Sequence, residues 1–200
     1  FTTLPFLILA KADAKYANIK ELAAYAKTAD KPVVLAHWGK ATVPTLSTYR
    51  MAAAAGFKFN EVTFSKVDTS QLINGDAQLA IVPLTAVLGS IKSGETKPIV
   101  ALTPERMGEL PELATVREQG FDFDVSIWTG LFAPKGTPAH VIEALSASMK
   151  KAIARPDVKK FIDESGALAY YKDAKATKAQ MKDEFTAFKT ELGTLGLLKK

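Results

Sequence analysis

The sequence has 200 residues, and its content of 48% hydrophobic and 24% charged residues is typical of a globular protein with one or two domains. No apolar run reaches the roughly 18 residues that a transmembrane helix needs. The absence of cysteine excludes disulfides, thiolate metal sites and cysteine nucleophiles. The net charge of +5 suits an acidic ligand or a solvated basic surface. No basic cluster is interleaved with aromatic residues, so we expect no binding to nucleic acid.

The first half of the chain alternates between predicted strands and predicted helices. Apolar runs or strict alternation predict strands at residues 4–10, 32–36, 59–64, 77–82 and 97–103. Helical patterns lie between them, at residues 18–27, 42–53, 68–73 and 83–92. Asn18 and Glu21 resemble a capping box, and Thr42 is the predicted N-cap of the second helix. This order of elements predicts a parallel sheet with helices on both faces.

The second half begins with a loop over residues 103–120 and a strand pattern over 125–132. Thr137 is the predicted N-cap of a helix that has Pro138 at its first position. Another helix around residues 158–162, a short strand at 168–171 and a helix with an apolar stripe from Met181 to Leu195 follow. These amphipathic helices have almost no predicted sheet of their own to cover.

The stretch from residue 103 to residue 138 resembles a known family. Its fixed points, in order, are Arg106, Leu110-Pro111, Thr115, Glu118, Gly120, Trp128, Gly130-Leu131, Ala133-Pro134 and Gly136-Thr137-Pro138. Their order and spacing resemble the extracytoplasmic solute receptors of the tripartite tricarboxylate transporter family, the Bug receptors. The resemblance implies an α/β fold of the periplasmic-binding-protein-like (type II) clamshell kind, with parallel-type sheets flanked by helices.

The resemblance also implies how the chain is divided. Residues 5–124 would form the second lobe, and residues 125–200 would be the returning C-terminal part of the first lobe. The first lobe is then incomplete, because about the first third of a typical family member has no counterpart here. Two explanations stay open: the chain is a fragment, or it is a naturally short homologue that fills the gap in another way, for example as a homodimer.

The best candidate for a ligand site is the loop after the second predicted strand. It comprises His37, Trp38, Gly39, Lys40, Ala41 and Thr42. Open α/β sheets bind ligands at the carboxyl ends of their strands, and the N–H groups of a helix N-terminus favour an anion. Lys40 would add positive charge. In the family this loop is rich in Gly, Ser and Thr and grips a ligand carboxylate; only Gly39 and Thr42 keep that character here.

Two further strand ends are expected to face the same ligand. The first is Phe64-Ser65, where the family usually has a tyrosine followed by lysine and glycine. The second is Pro83-Leu84-Thr85, and Gln78 stands where the family commonly has an aspartate just before that strand. Ordinary loop and packing roles remain open for all of these residues.

The sequence gives little support for a catalytic site or a metal site. His37 and His140 are the only histidines, and they lie too far apart in sequence for a metal-ligand spacing. Contact with ligand and a plain loop role both remain open for His37. No nucleophile elbow and no phosphate-binding loop occurs. We expect neither a cofactor nor an enzymatic activity.

The function predicted from the resemblance is capture of a small organic carboxylate, a di- or tricarboxylate or an aromatic acid. The chain would be periplasmic and would present this ligand to the membrane permease subunits of a transporter. Closure of the two lobes would bury the ligand. The alternative is a ligand-sensing domain of a regulatory or signalling protein, since such domains share the two-lobed fold. An enzyme on a similar scaffold is a third hypothesis, because fold alone does not decide function.

Overall fold

The chain crosses twice between two structural units, between Thr3 and Leu4 and between Ile127 and Trp128. The computed structural model describes residues 2–123, 125, 127–164, 167–194, 196 and 198. Within these, residues 4–127 form the larger unit, and Thr2, Thr3 and the residues from Trp128 onward form the smaller unit. The predicted boundary at residue 124, and Leu195 of the predicted stripe, lie outside the described residues. Assignment of the units to the two lobes stays a prediction.

The larger unit contains five strands and four helices among its described residues. The strands are β2 (Phe6–Lys11), β3 (Val34–His37), β4 (Asn60–Thr63), β5 (Leu79–Pro83) and β6 (Thr96–Ala101). The helices are α1 (Ile19–Thr28), α2 (Val43–Ala54), α3 (Ser70–Ile73) and α4 (Leu84–Lys92). The predicted strand at 4–10 is interrupted at Pro5, because proline has no backbone N–H to donate. Residues Thr2–Leu4 form β1, which belongs to a different sheet.

The five strands form one mixed sheet in the order β4-β3-β5-β2-β6. Strand β3 pairs in parallel with both β4 and β5, whereas β2 is antiparallel to both β5 and β6. The prediction of a parallel sheet was therefore wrong for β2. An alternation of strands and helices does not determine strand direction, since α1 joins β2 to β3 although these two strands run in opposite directions.

The core lies on both faces of this sheet, as the alternation of side chains along each strand requires. In β2, Ile8 belongs to one apolar cluster, whereas Leu7 and Leu9 belong to the other. Helices α1 and α2 cover the first face, and α3 and α4 cover the second. The predicted α/β architecture with helices on both faces of the sheet is confirmed.

The cap of α1 is a reciprocal pair of hydrogen bonds. The Asn18 side chain accepts from the Glu21 N–H at 2.9 Å, and the Glu21 carboxylate accepts from the Ala17 N–H at 2.8 Å. The predicted capping box is thus confirmed with one difference. The N–H that donates to the Glu21 carboxylate is that of Ala17, one residue before the N-cap Asn18. The Thr137 prediction was wrong: Pro138 occupies the N-cap position, and the Thr137 hydroxyl donates to the Pro134 carbonyl at 2.8 Å.

The loop that carries the family resemblance is closed by its own hydrogen bonds. Arg106 Nε lies 2.9 Å and 3.0 Å from the two carboxylate oxygens of Glu118, and Arg106 Nη1 donates to the Pro111 carbonyl at 2.8 Å. Glu118 also accepts from the Thr115 N–H at 2.8 Å, and its own N–H donates to the Thr115 hydroxyl at 3.2 Å. The residues that carry the family resemblance in this loop therefore also determine its conformation.

The smaller unit has a three-stranded sheet in which β1 lies between β7 (Ile127–Trp128) and β8 (Leu168–Ala169). Its elements are β1 (Thr2–Leu4), β7 (Ile127–Trp128), α5 (Ala139–Ala154), α6 (Pro156–Glu164), β8 (Leu168–Ala169) and α7 (Ala174–Thr194). Among the described residues of the strand predicted over 125–132, only Ile127 and Trp128 form a strand, and Leu131 and Phe132 are exposed. Helix α5 buries none of its residues. None of the described helices is long and apolar enough to cross a bilayer.

Removal of a buried side chain in β3 tests this core. Leu35 is completely buried between α1, α2 and the sheet, so we expect Leu35→Ala to lower the free energy of unfolding by roughly 2–5 kcal/mol. Ile73→Ala is the matched control, because 45% of Ile73 is exposed. Urea denaturation followed by circular dichroism measures both. Equal losses in the two variants would contradict the arrangement of the core.

Candidate functional site

The predicted ligand-binding segments lie side by side at one edge of the larger sheet. Strands β3 and β4 are parallel and in register, so His37 pairs with Thr63 at their carboxyl ends. Strand β5 runs in the same direction, and it ends at Pro83. The loops that follow these three strands therefore meet at this edge, as the strand-end argument predicted.

Most of the predicted residues reach the surface. Those exposed or half-buried are Trp38, Gly39, Lys40, Ala41, Thr42, Phe64, Ser65, Pro83 and Thr85. Leu84 is completely buried in the second apolar cluster, and its N–H donates to the Pro5 carbonyl at 2.9 Å. His37 is also completely buried. Both side chains are therefore closed to a surface-bound ligand in this conformation, and a role for either residue in binding stays a prediction.

Trp38 packs inward from its place at the edge. Its ring meets Phe6 edge to face with centroids 5.7 Å apart, and it contacts both apolar clusters of the unit. Trp38 therefore closes the end of the core beneath the loop, with only part of its surface left for a ligand.

Gly39 gives the loop a backbone conformation that other residues rarely adopt. Its φ is +145°, and a Cβ atom placed there would meet nothing within 4 Å. The constraint at this position is therefore conformational and not steric. The Gly39 carbonyl accepts from the Thr42 N–H at 3.3 Å and from the Thr42 hydroxyl at 3.0 Å.

Helix α2 begins directly after this turn. Thr42 is the N-cap residue, but its side chain does not cap the helix; its hydroxyl contacts the Gly39 carbonyl and lies 2.8 Å from the Thr45 hydroxyl. Val43 is half-buried, and none of the described residues accepts a hydrogen bond from its backbone N–H. Thr45 is completely buried, so its N–H is closed to a ligand in this conformation. The Val43 N–H and the helix dipole favour an anion at this end of α2.

Behind the loop, four polar side chains form one cluster, which we call the His37 cluster: His37, Lys40, Tyr49 and Glu61. The Lys40 ammonium lies 2.5 Å from one oxygen of Glu61, and the Tyr49 hydroxyl donates to the other. His37 Nε2 lies 3.3 Å from the Tyr49 hydroxyl and 3.5 Å from Glu61. On the far side of the ring, the Gly39 N–H donates to His37 Nδ1 at 2.9 Å.

The environment of the cluster shifts three pKa values. Burial lowers the pKa of His37, and the nearby Glu61 carboxylate opposes that shift without reversing it. Burial and then the hydrogen bond to Glu61 raise the pKa of Tyr49 above its usual range. Desolvation acts to raise the pKa of Glu61, but hydrogen bonds from Lys40 and Tyr49 outweigh it and hold this pKa below its usual value. At neutral pH, therefore, His37 is neutral and Glu61 is ionised.

Lys40 forms an ion pair that the sequence did not predict. Its charge was expected to attract an anionic ligand, and Glu61 at 2.5 Å balances that charge in this conformation. Contact of Lys40 with a ligand stays a prediction. Tyr49 and Glu61 were not predicted, because each lies 12 residues from its partner in the cluster and neither belongs to a recognisable motif.

The smaller unit contains a separate apolar cavity of about 260 Å³ that the sequence did not predict. Trp128, Phe132, Leu145, Tyr170 and Met181 line it. The Trp128 indole N–H at its edge donates to the Glu184 carboxylate at 3.1 Å. No group of His, Asp or Glu side chains suited to a metal ion occurs in the part of the chain that the structure describes.

The chain has the fold of solved periplasmic binding proteins. Its fold matches that of the periplasmic binding protein BugD with a TM-score of 0.77 and 28% identity, over 100% of this chain and 68% of BugD. It also matches MatC from Rhodopseudomonas palustris with bound malate, with a TM-score of 0.74 and 27% identity, over 96% of this chain and 67% of MatC.

The family follows from the sequence comparison. The model described as "Tripartite tricarboxylate transporter family receptor" matches residues 1–197, and the chain belongs to this family. It is 31% identical over 168 residues to a UPF0065 protein from the tcbD-tcbE intergenic region of Pseudomonas sp. strain P51, covering 82% of this chain and 50% of the relative. A UPF0065 protein from Agrobacterium vitis is 30% identical over 189 residues, covering 93% of this chain and 54% of the relative. The chain thus spans about half the length of these curated relatives.

The buried His37 makes stability depend on pH. Its pKa in the folded chain is lower than in the unfolded chain, so unfolding takes up a proton once the pH falls below about 6.5. The stabilisation is fully present above that value and is lost as the pH falls toward the pKa of the folded state, with a slope of at most about 1.4 kcal/mol per pH unit. Urea denaturation at a series of pH values measures this slope. His37→Asn should reduce it and the exposed His140→Gln should leave it unchanged; equal slopes in wild type and His37→Asn would contradict the assignment.

Proposed function

We propose that this chain binds a small organic carboxylate at the carboxyl edge of β3, β4 and β5. The observation that carries the proposal is the N–H group of the half-buried Val43 at the N-terminus of α2, which donates to none of the described residues. Membership of a receptor family supports it, and so does MatC, a relative whose structure contains malate.

Binding requires no covalent chemistry in this proposal. The carboxylate accepts hydrogen bonds from the α2 backbone, and the helix dipole stabilises its charge. Gly39 lets the backbone of the loop come close to the ligand because it carries no side chain. Ser65 and Thr85 are exposed at the neighbouring strand ends, where their hydroxyls would select among carboxylates.

The same proposal extends to the transport role. A bound carboxylate would be presented to membrane permease subunits outside the cytoplasm, as expected of a receptor of this family. These partners and this location remain part of the proposal, since the chain spans about half the length of its curated relatives.

A thermal-shift titration at low salt tests ligand binding. Malate is the first probe, followed by citrate, succinate and benzoate. A ligand that binds only the folded chain adds about 2.7 kcal/mol at a hundred times its Kd. For a chain of this size that corresponds to a rise in Tm of roughly 5–10 °C. A folded protein with no rise for any of these acids would contradict the proposal.

Substitution of Gly39 locates the site. Gly39→Ala should weaken binding of the active acid by roughly tenfold, since alanine does not adopt a φ of +145° without strain. Gly94→Ala is the matched control. Gly94 also has a positive φ (+75°) and open space around it, but it lies near the start of β6, at the opposite edge of the sheet. Isothermal titration calorimetry gives both Kd values, and equal weakening in the two variants would place the ligand elsewhere.

A further inference from the structure

The hydrogen bonds around His37 determine which ring nitrogen carries the proton. The Gly39 N–H can only donate, so Nδ1, 2.9 Å away, must be the acceptor. The proton of the neutral ring is then on Nε2, which faces the Tyr49 hydroxyl at 3.3 Å. Tyr49 in turn donates to Glu61. The hydrogen bonds in this series therefore all run in one direction: Gly39 donates to the His37 ring, the ring donates to Tyr49, and Tyr49 donates to Glu61.

The same bonds connect His37 to the proposed ligand donors. His37 Nδ1 holds the Gly39 amide, and the Gly39 carbonyl holds both the N–H and the hydroxyl of Thr42. Thr42 is the residue from which α2 starts. The position of the α2 N–H groups therefore depends, through two residues, on a ring that is itself completely buried.

We infer that His37 is a positioning residue: its neutral ring holds the Gly39 turn in the form that binds a carboxylate, and protonation of the ring releases the turn. The inference rests on the function proposed above. Protonation converts Nδ1 from an acceptor into a donor that faces the Gly39 N–H, so the bond at 2.9 Å is lost.

The groups that face the ring act in opposite directions on this protonation. Glu61 on β4 favours the charged ring, whereas Lys40 in the loop and burial of the ring disfavour it. Tyr49 on α2 meets Nε2 through its hydroxyl and carries no charge at neutral pH. Release of the turn would therefore be confined to pH values below the ordinary titration range of histidine, and it would weaken ligand binding there.

Nitrogen NMR of the imidazole rings tests the hold on Gly39 without any ligand. The chain has two histidines, so a His140→Gln background leaves the signals of His37 alone. We expect the ring to be protonated on Nε2 at neutral pH, and the Gly39 amide signal to move in step with the titration of the ring. A proton on Nδ1 at neutral pH would overturn the inference. So would a Gly39 amide signal that does not change while the ring titrates.

Two variants of His37 test its effect on affinity, with malate as the probe. The side-chain carbonyl of His37→Asn can take the place of Nδ1 and accept from Gly39 at any pH, whereas the longer His37→Gln side chain places its polar group near Nε2. Loss of one such hydrogen bond is worth roughly three- to tenfold in Kd. We therefore expect His37→Gln to bind malate more weakly by that factor at about pH 7.5, and His37→Asn to stay close to wild type.

The pH profile separates positioning from mere structural support. Between about pH 7.5 and the pH at which the NMR titration shows the His37 ring to be protonated, wild type should lose affinity for malate by a further factor of about three to ten relative to His37→Asn. Ionisation of malate is common to both proteins and cancels in this ratio. Identical profiles would overturn the inference. Absence of malate binding by wild type at every pH would instead count against the proposed function and the affinity effect together, while the NMR result still decides whether His37 holds Gly39.

Discussion

The parallel alignment of β3 with β4 and β5 is the constraint on which the rest of the site depends. Because β3 lies between its two parallel neighbours, its end is enclosed on both sides and His37 is buried. Every polar group brought to a buried strand end needs a partner. The His37 carbonyl accepts from the Phe64 N–H at 3.0 Å, and its ring accepts from Gly39. The conformation of the following loop is thus determined by the sheet beneath it.

Charge has a smaller role at this edge than the net charge of +5 suggests. The one lysine in the loop is balanced by Glu61, and this pair is partly exposed, so its own contribution is screened by solvent. Affinity for an anion would come from oriented backbone N–H groups, which have a fixed direction and need no counter-charge. Such a site distinguishes carboxylates by their shape and by their hydroxyl groups more than by their charge.

The residues that identify the family and those proposed to bind ligand are different. Arg106, Thr115 and Glu118 form a hydrogen-bonded network that closes the loop over residues 103–120. At the loop after β3, by contrast, the bonds run from His37 to Gly39 and from Gly39 to Thr42. Each of the two loops is thus held by its own set of hydrogen bonds.

The sequence by itself determined what depends on near neighbours in the chain: the α/β class, the buried strand β2 and the Asn18 cap of α1. It also placed the candidate loop after β3, because a strand followed by a helix N-terminus is a local pattern. Tertiary structure alone decided that β2 runs antiparallel, that His37 is buried, and that Tyr49 and Glu61 meet it. These features depend on which strands lie beside each other, and residues far apart in sequence carry no local signal of that choice.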